Sequence, residues 1–104
     1  MQDHIYRVPV RASGQAGNSV DISLNEPLQG LDGTRAANGE LFVAENKGDK
    51  ISVISVNGHK ASVTVIKDRL QASTGIEPAG DSLWITERKT GKVCSLPIPH
   101  IVCT

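Results

Sequence analysis

The sequence predicts an all-β chain assembled from repeated four-stranded antiparallel sheets, and three observations carry that expectation. The stretch LDGTRAANGELFVAEN (Leu31 to Asn46) returns without gaps as STGIEPAGDSLWITER (Ser73 to Arg88), so that Gly75 stands 42 residues after Gly33. Apolar residues inside each copy alternate or cluster in short runs of β-branched and aromatic type, with no helical period. Gly- and Asn-containing dipeptides separate those runs at hairpin spacing. Four strands in a repeat of about 42 residues is the pattern of β-propeller blades. The chain holds about two blades' worth, which reads as a partial propeller or a segment of a six-bladed one.

The elements follow in order. Ile5-Tyr6-Arg7-Val8-Pro9-Val10 resembles the third strand of a blade and Val20-Asp21-Ile22-Ser23-Leu24 the fourth, joined by the Gly-rich loop ASGQAGN. The first full copy then supplies an inner strand near Gly33–Ala37 and a second strand at Leu41–Glu45. Lys50–Val56, nearly strict in its alternation, is the third strand, and Ala61–Ile66 the fourth. Asn38-Gly39 and Asn57-Gly58 accept the positive φ of tight hairpins, while Lys47-Gly48-Asp49 and Lys89-Thr90-Gly91 form longer turns. The second copy repeats the series at Gly75–Pro78, Leu83–Glu87 and Lys92–Ile98. Residues 1–27 are therefore a partial blade, 28–69 a full blade and 70–104 a second partial blade, within one domain.

Repetition extends beyond the quoted phrases. Leu28-Gln29 matches Leu70-Gln71, Leu41 matches Leu83, Glu45 matches Glu87, Lys47 matches Lys89 and Lys50 matches Lys92. Phe42 meets Trp84 and is expected, like it, to fill the space between blades. Catalytic residues break repeat symmetry, so Glu45 and Glu87 are expected to be structural, bonding backbone nearby or pairing with Lys50 and Lys92. Arg35 and Glu77 are expected to face solvent or to touch across blades. Tyr6 and Arg7 carry no separate signal.

Composition narrows the function classes. Lys plus Arg and Asp plus Glu number 11 each, and aromatic residues make up 3% of the chain. Neither balance suits a nucleic-acid surface or a base-stacking platform. No apolar run is long enough for a membrane span, and MQDHIYRVPV lacks the layout of a secretory signal, which leaves compartment open. Cys94 and Cys103 form no metal-type pair and are expected to be idle or buried thiols. His4, His59 and His100 are scattered and expected to lie exposed and unpaired.

The stretch PLQGLDGTRAANGELFVAENKGDKISVISVNG resembles a blade of the senescence marker protein/gluconolactonase/luciferin-regenerating family, related to NHL propellers. Leu31-Asp32-Gly33 stands where that family has Pro-Asp-Gly, and Gly39-Glu40-Leu41-Phe42-Val43-Ala44, Lys50-Ile51 and Asn57-Gly58 follow in register. The likeness covers most of Leu28 to Ile98. It implies a six-bladed propeller that hydrolyses sugar lactones or related esters, with a single divalent cation, calcium or zinc, in the central channel. Carried over residue by residue, it places one element here: Asp32, as cation ligand and general base. The position matching Asp32 in the second copy is Thr74, and the remaining ligands, a Glu and two Asn, have no counterpart; Asn25 and Glu26 lie in the preceding loop.

Two blades leave apolar faces without neighbours. Either copies assemble into a homo-oligomeric ring, three two-blade units giving six, or the chain is a segment of a longer protein; the segment is preferred slightly. The function expected is then that of a segment of a lactonase-like, divalent-metal-dependent hydrolase acting on a small lactone or sugar-type substrate, the alternative being a non-catalytic blade module for self-assembly or protein interaction.

Overall fold

The computed structural model describes residues 4–97, and every regular element among them is a strand. These are β1 (Ile5–Arg7), β2 (Val20–Leu24), β3 (Leu31–Ala37), β4 (Glu40–Glu45), β5 (Lys50–Asn57), β6 (Lys60–Lys67), β7 (Ser73–Ala79), β8 (Ser82–Glu87) and β9 (Val93–Pro97). The expected strands are all present, six of them one to three residues longer; the first is shorter, ending at Arg7, and the last begins one residue later, at Val93. Ile98, His100 and Cys103 lie outside the described residues.

Two sheets result. β3 to β6 form an antiparallel meander, and β7, β8 and β9 a second one of three strands. The 42-residue repeat holds down to the pairing register. Leu31 lies opposite Glu45 and Thr34 opposite Val43, with a bulge between, as Ser73 lies opposite Glu87 and Ile76 opposite Ile85. Positive φ angles recur as well, at Gly30 and Ala72, Asn38 and Gly80, and Asp49 and Gly91. Local backbone chemistry therefore builds the same blade twice.

Hairpin details follow the residues available. Asn38 and Gly39 both take positive φ between β3 and β4, as a two-residue turn of mirror-image type requires. Between β5 and β6 the central pair is Gly58-His59, one residue later than the Asn57-Gly58 expectation. Asn57 itself pairs with Lys60, and the positive φ belongs to Gly58.

Period-2 alternation decides which face each side chain takes. Phe42, Ala44, Ile51 and Val53 share one face of the first blade and pack against Leu70, Ile76, Leu83 and Ile85 of the second. Val43, Ile54, Ala61 and Val63 line the opposite face, where Ile22 and Leu28 cover them. Ile22, from the segment 1–27 read as a partial blade, supplies that cover together with Leu28. The β1–β2 hairpin of that segment joins the edge of β6 through two parallel pairs, Ser23 with Lys60 and Leu24 with Ala61, and extends the first sheet to six curled strands. Asn25 secures the junction, accepting from the Val63 amide at 2.7 Å and donating its own amide to the Ala61 carbonyl. Arg7 adds a bond to the Gly58 carbonyl at 2.9 Å.

Glu45 ends β4 with no exposed surface. Its carboxylate accepts the Gln29 amide at 2.7 Å and the Ser52 hydroxyl, and Lys50 Nζ stands 3.9 Å away. Glu87 repeats the arrangement, taking the Gln71 amide at 2.7 Å and the Thr90 hydroxyl at 3.1 Å, with Cys94 in the place of Ser52. The recurrent glutamates are thus clasps tying the entry of each inner strand to the body of its blade. Glu45→Ala leaves the buried amide and hydroxyl without an acceptor and is expected to lower stability by about 3 kcal/mol. Glu45→Gln, which keeps an acceptor oxygen, is expected to lose less; urea unfolding midpoints of the two variants provide the check.

Candidate functional site at the inner strands

β3 and β7, each an edge strand of its sheet, lie side by side, and their bulges touch. Gly33 sits where an added Cβ would stand 2.5 Å from the Thr74 carbonyl oxygen, so the close approach of the two strands requires glycine there. Asp32-Gly33 forms the bulge inside β3. Asp32 is exposed on the edge strand β3.

Thr74, its counterpart, has its hydroxyl 3.1 Å from that of Thr86, whose oxygen also accepts the Gly75 amide at 2.9 Å. That hydroxyl is engaged within its own blade. Two residues beyond each bulge glycine, Arg35 Nε donates to Glu77 Oε1 at 3.1 Å. The expected cross-blade contact therefore exists, and it joins equivalent positions of consecutive repeats. Both side chains are more than half exposed, so the pair aligns the strands more than it stabilises them.

Residues that sequence reasoning passed over reinforce the same seam. Asp49 holds the connection between blades, its carboxylate accepting the Ala72 amide at 3.0 Å and its carbonyl the Leu70 amide at 2.8 Å. Asn46 Nδ2 donates to the Ser73 carbonyl at 3.2 Å, and Ser73 Oγ to the Lys50 carbonyl at 3.3 Å. The available signal was asymmetry: Asp49 aligns with Gly91 and Asn46 with Arg88, and each departs from the repeat where two blades meet.

Among the described residues no three His, Cys, Asp or Glu side chains converge in a way that would hold a metal ion. Two shallow depressions, of about 310 and 490 Å³, flank β2 on the first blade, and Asp32 lines neither. His4, expected to be unpaired, stands 3.5 Å from Asp21 and stacks on Tyr6. Cys94 is a free, half-buried thiol beside Glu87. Among the described residues no helix is long and apolar enough to cross a membrane.

The second blade presents a different kind of site. Its face toward the first blade carries Leu83 and Ile85, both buried. The opposite face carries Trp84, Thr86, Val93 and Ser95, which align with Phe42, Ala44, Ile51 and Val53 of the first blade. Phe42 and Ile51 are fully buried by the neighbouring sheet, whereas Trp84 is 47% exposed and Val93 64%. Trp84 thus occupies the position expected to fill the space between blades, on a face that the described residues leave in water. Comparison of the chain with protein-family models, curated proteins and solved structures finds no match.

The exposure of the Arg35–Glu77 pair sets the scale of its contribution. A double-mutant cycle on Arg35→Ala and Glu77→Ala is expected to return a coupling of about 0.5 kcal/mol that fades in high salt. Thermal unfolding at low and high ionic strength measures it.

Proposed function

We propose that the chain is a β-propeller blade module that docks a further apolar sheet through the face bearing Trp84 and Val93. The observation that carries this reading is the contrast between equivalent positions: Phe42 and Ile51 are sealed by a neighbouring blade, Trp84 and Val93 are not. Large apolar side chains clustered in water mark an interaction surface more often than a resting one. Their alternation with Leu83 and Ile85 suits a partner of the shape that the second blade itself offers the first. By its repeated phrase the module's lineage is the gluconolactonase-like, NHL-related group.

The test uses the environment of Trp84, the sole tryptophan. In dilute solution Trp84 emission is expected to be readily quenched by acrylamide, and the chain to bind an apolar dye. Trp84→Ser is expected to remove most of that dye binding. Shielded emission at every dilution, with no dye binding, would show the face already filled and defeat the reading.

A second reading is the lactone hydrolase that the same resemblance implies, with Asp32 as cation ligand and general base. The placement of an exposed carboxylate on an innermost strand favours it, since inner strands line the channel of a propeller. Asp32 alone does not make a centre for calcium or zinc, which take several ligands, and among the described residues no group of three or more acidic, His or Cys side chains forms that could hold the ion. This reading therefore needs ligands from additional blades. It expects a rise in melting temperature with calcium or zinc and slow hydrolysis of a simple sugar lactone, both abolished in Asp32→Asn. The docking module expects wild type and Asp32→Asn to melt alike with or without the ion.

A further inference from the structure

We infer that the open edge of β9 takes an extended strand from another polypeptide, antiparallel to β9 and acidic toward its C-terminal end. The inference concerns the edge of the second sheet and is independent of what docks on its Trp84 face.

Among the described residues the two copies of the repeat differ by one strand. β3 to β6 form four, whereas β7 to β9 form three, and β9 pairs with β8 alone. Residues 51–55 of β5 stand 42 positions before β9, and their corresponding edge is filled by β6 in antiparallel register. That pair also fixes the phase of the backbone. Asn57 and Lys60 close a two-residue turn and so form a hydrogen-bonded pair, and alternation turns the N–H and C=O of Ser55 and Val53 toward β6 as well. Forty-two residues on, the groups aimed at the open edge belong to Val93, Ser95 and Pro97. The second blade agrees: the Glu87 amide donates to the Lys92 carbonyl at 3.0 Å, which sets Lys92 toward β8 and Val93 away from it. Val93 and Ser95 each offer a donor and an acceptor, and Pro97 an acceptor only. Such a row of backbone groups is a template for strand addition.

Charge selects the strand. Arg88, Lys89 and Lys92 are exposed in and beside the β8–β9 turn, and none of them makes an ion pair among the described residues. Lys50, the counterpart of Lys92, instead stands beside Glu45. In the β5–β6 pair the C-terminal end of the added strand lies at the start of the receiving one, Lys67 opposite Ile51. A strand added to β9 in that sense brings its C-terminal end to the three cations, which attract carboxylates there. Self-pairing of β9 in two copies fits less well. A register centred on Ser95 sets each Val93 against the other copy's Pro97, which has no N–H to give.

The probe is a synthetic peptide with the β6 core, Ala-Ser-Val-Thr-Val-Ile, followed by two aspartates; its control ends in two lysines. Amide hydrogen exchange of the chain is followed with and without each. The Val93 and Ser95 amides are expected to exchange freely in the chain alone and to become protected by the acidic peptide. The lysine-ended peptide is expected to bind about tenfold more weakly, with the gap closing in high salt. Ser95→Pro removes an outward donor that β8 does not use and is expected to abolish protection at an unchanged urea midpoint. Lys92→Glu, at an exposed position, is expected to narrow or invert the preference between the peptides, and serves alone if Ser95→Pro unfolds the chain. Protection by neither peptide, or by both equally, would overturn the inference. So would β9 amides already protected in the chain alone, or protected increasingly as the chain itself is concentrated. None of these outcomes bears on the Trp84 face.

Discussion

A buried carboxylate sets the position of each inner strand. Glu45 lies at the end of β4 with its charge removed from water, a placement tolerated because backbone amide, hydroxyl and ammonium groups surround it. The Gln29 amide it captures belongs to the loop leading into β3, so the strand begins where the clasp holds it. From that start the bulge at Asp32-Gly33 falls against the bulge of β7, and the two innermost strands meet at Gly33 and Thr74. Glu87 performs the same task for β7. Were these two entries free to slide, Arg35 would not meet Glu77, nor would the exposed Asp32 sit beside the seam.

The second constraint is that every blade here is apolar on both sides. An antiparallel sheet with one wet face alternates apolar and polar residues; in β4 the run Leu41-Phe42-Val43-Ala44 does not alternate, and both faces need cover. The chain covers three of them with the means at hand. The second blade seals one side of the first, the N-terminal hairpin and Leu28 seal the other, and the first blade in turn seals the Leu83 side of the second. β2 reaches its place as a parallel edge strand, joined by only two residue pairs, because burial of Ile22 is what recruits it. Side-chain cover, more than ladder length, holds that hairpin.

Functional interpretation turns on where the repeat is kept and where it is broken. Kept residues, such as the glutamates and the bulge glycines, shape the blade. Broken ones lie where neighbours differ: Asp49 against Gly91 and Arg35 against Glu77 at the seam, Asp32 against Thr74 at the inner strand. Trp84 is the instructive case, since it keeps the apolar character of Phe42 while its surroundings change completely. A residue type suited to a sealed interface stands on an open one.

The strands, their order and the two blades were legible in the residues, because period-2 patterning, turn chemistry and a 42-residue repeat are local properties written into neighbouring positions. Recurrence likewise marked Glu45 and Glu87 as structural, whereas the residues left Arg35 and Glu77 between solvent and a contact across blades. Three features emerge only in the folded chain. β2 lies along β6, the Asp32-Gly33 bulge packs against the bulge of β7, and the Trp84 face stays in water while that of Phe42 is buried. Each depends on which surface meets which across long stretches of chain, and apolar burial, being non-directional, leaves no record in the residue order of its partner.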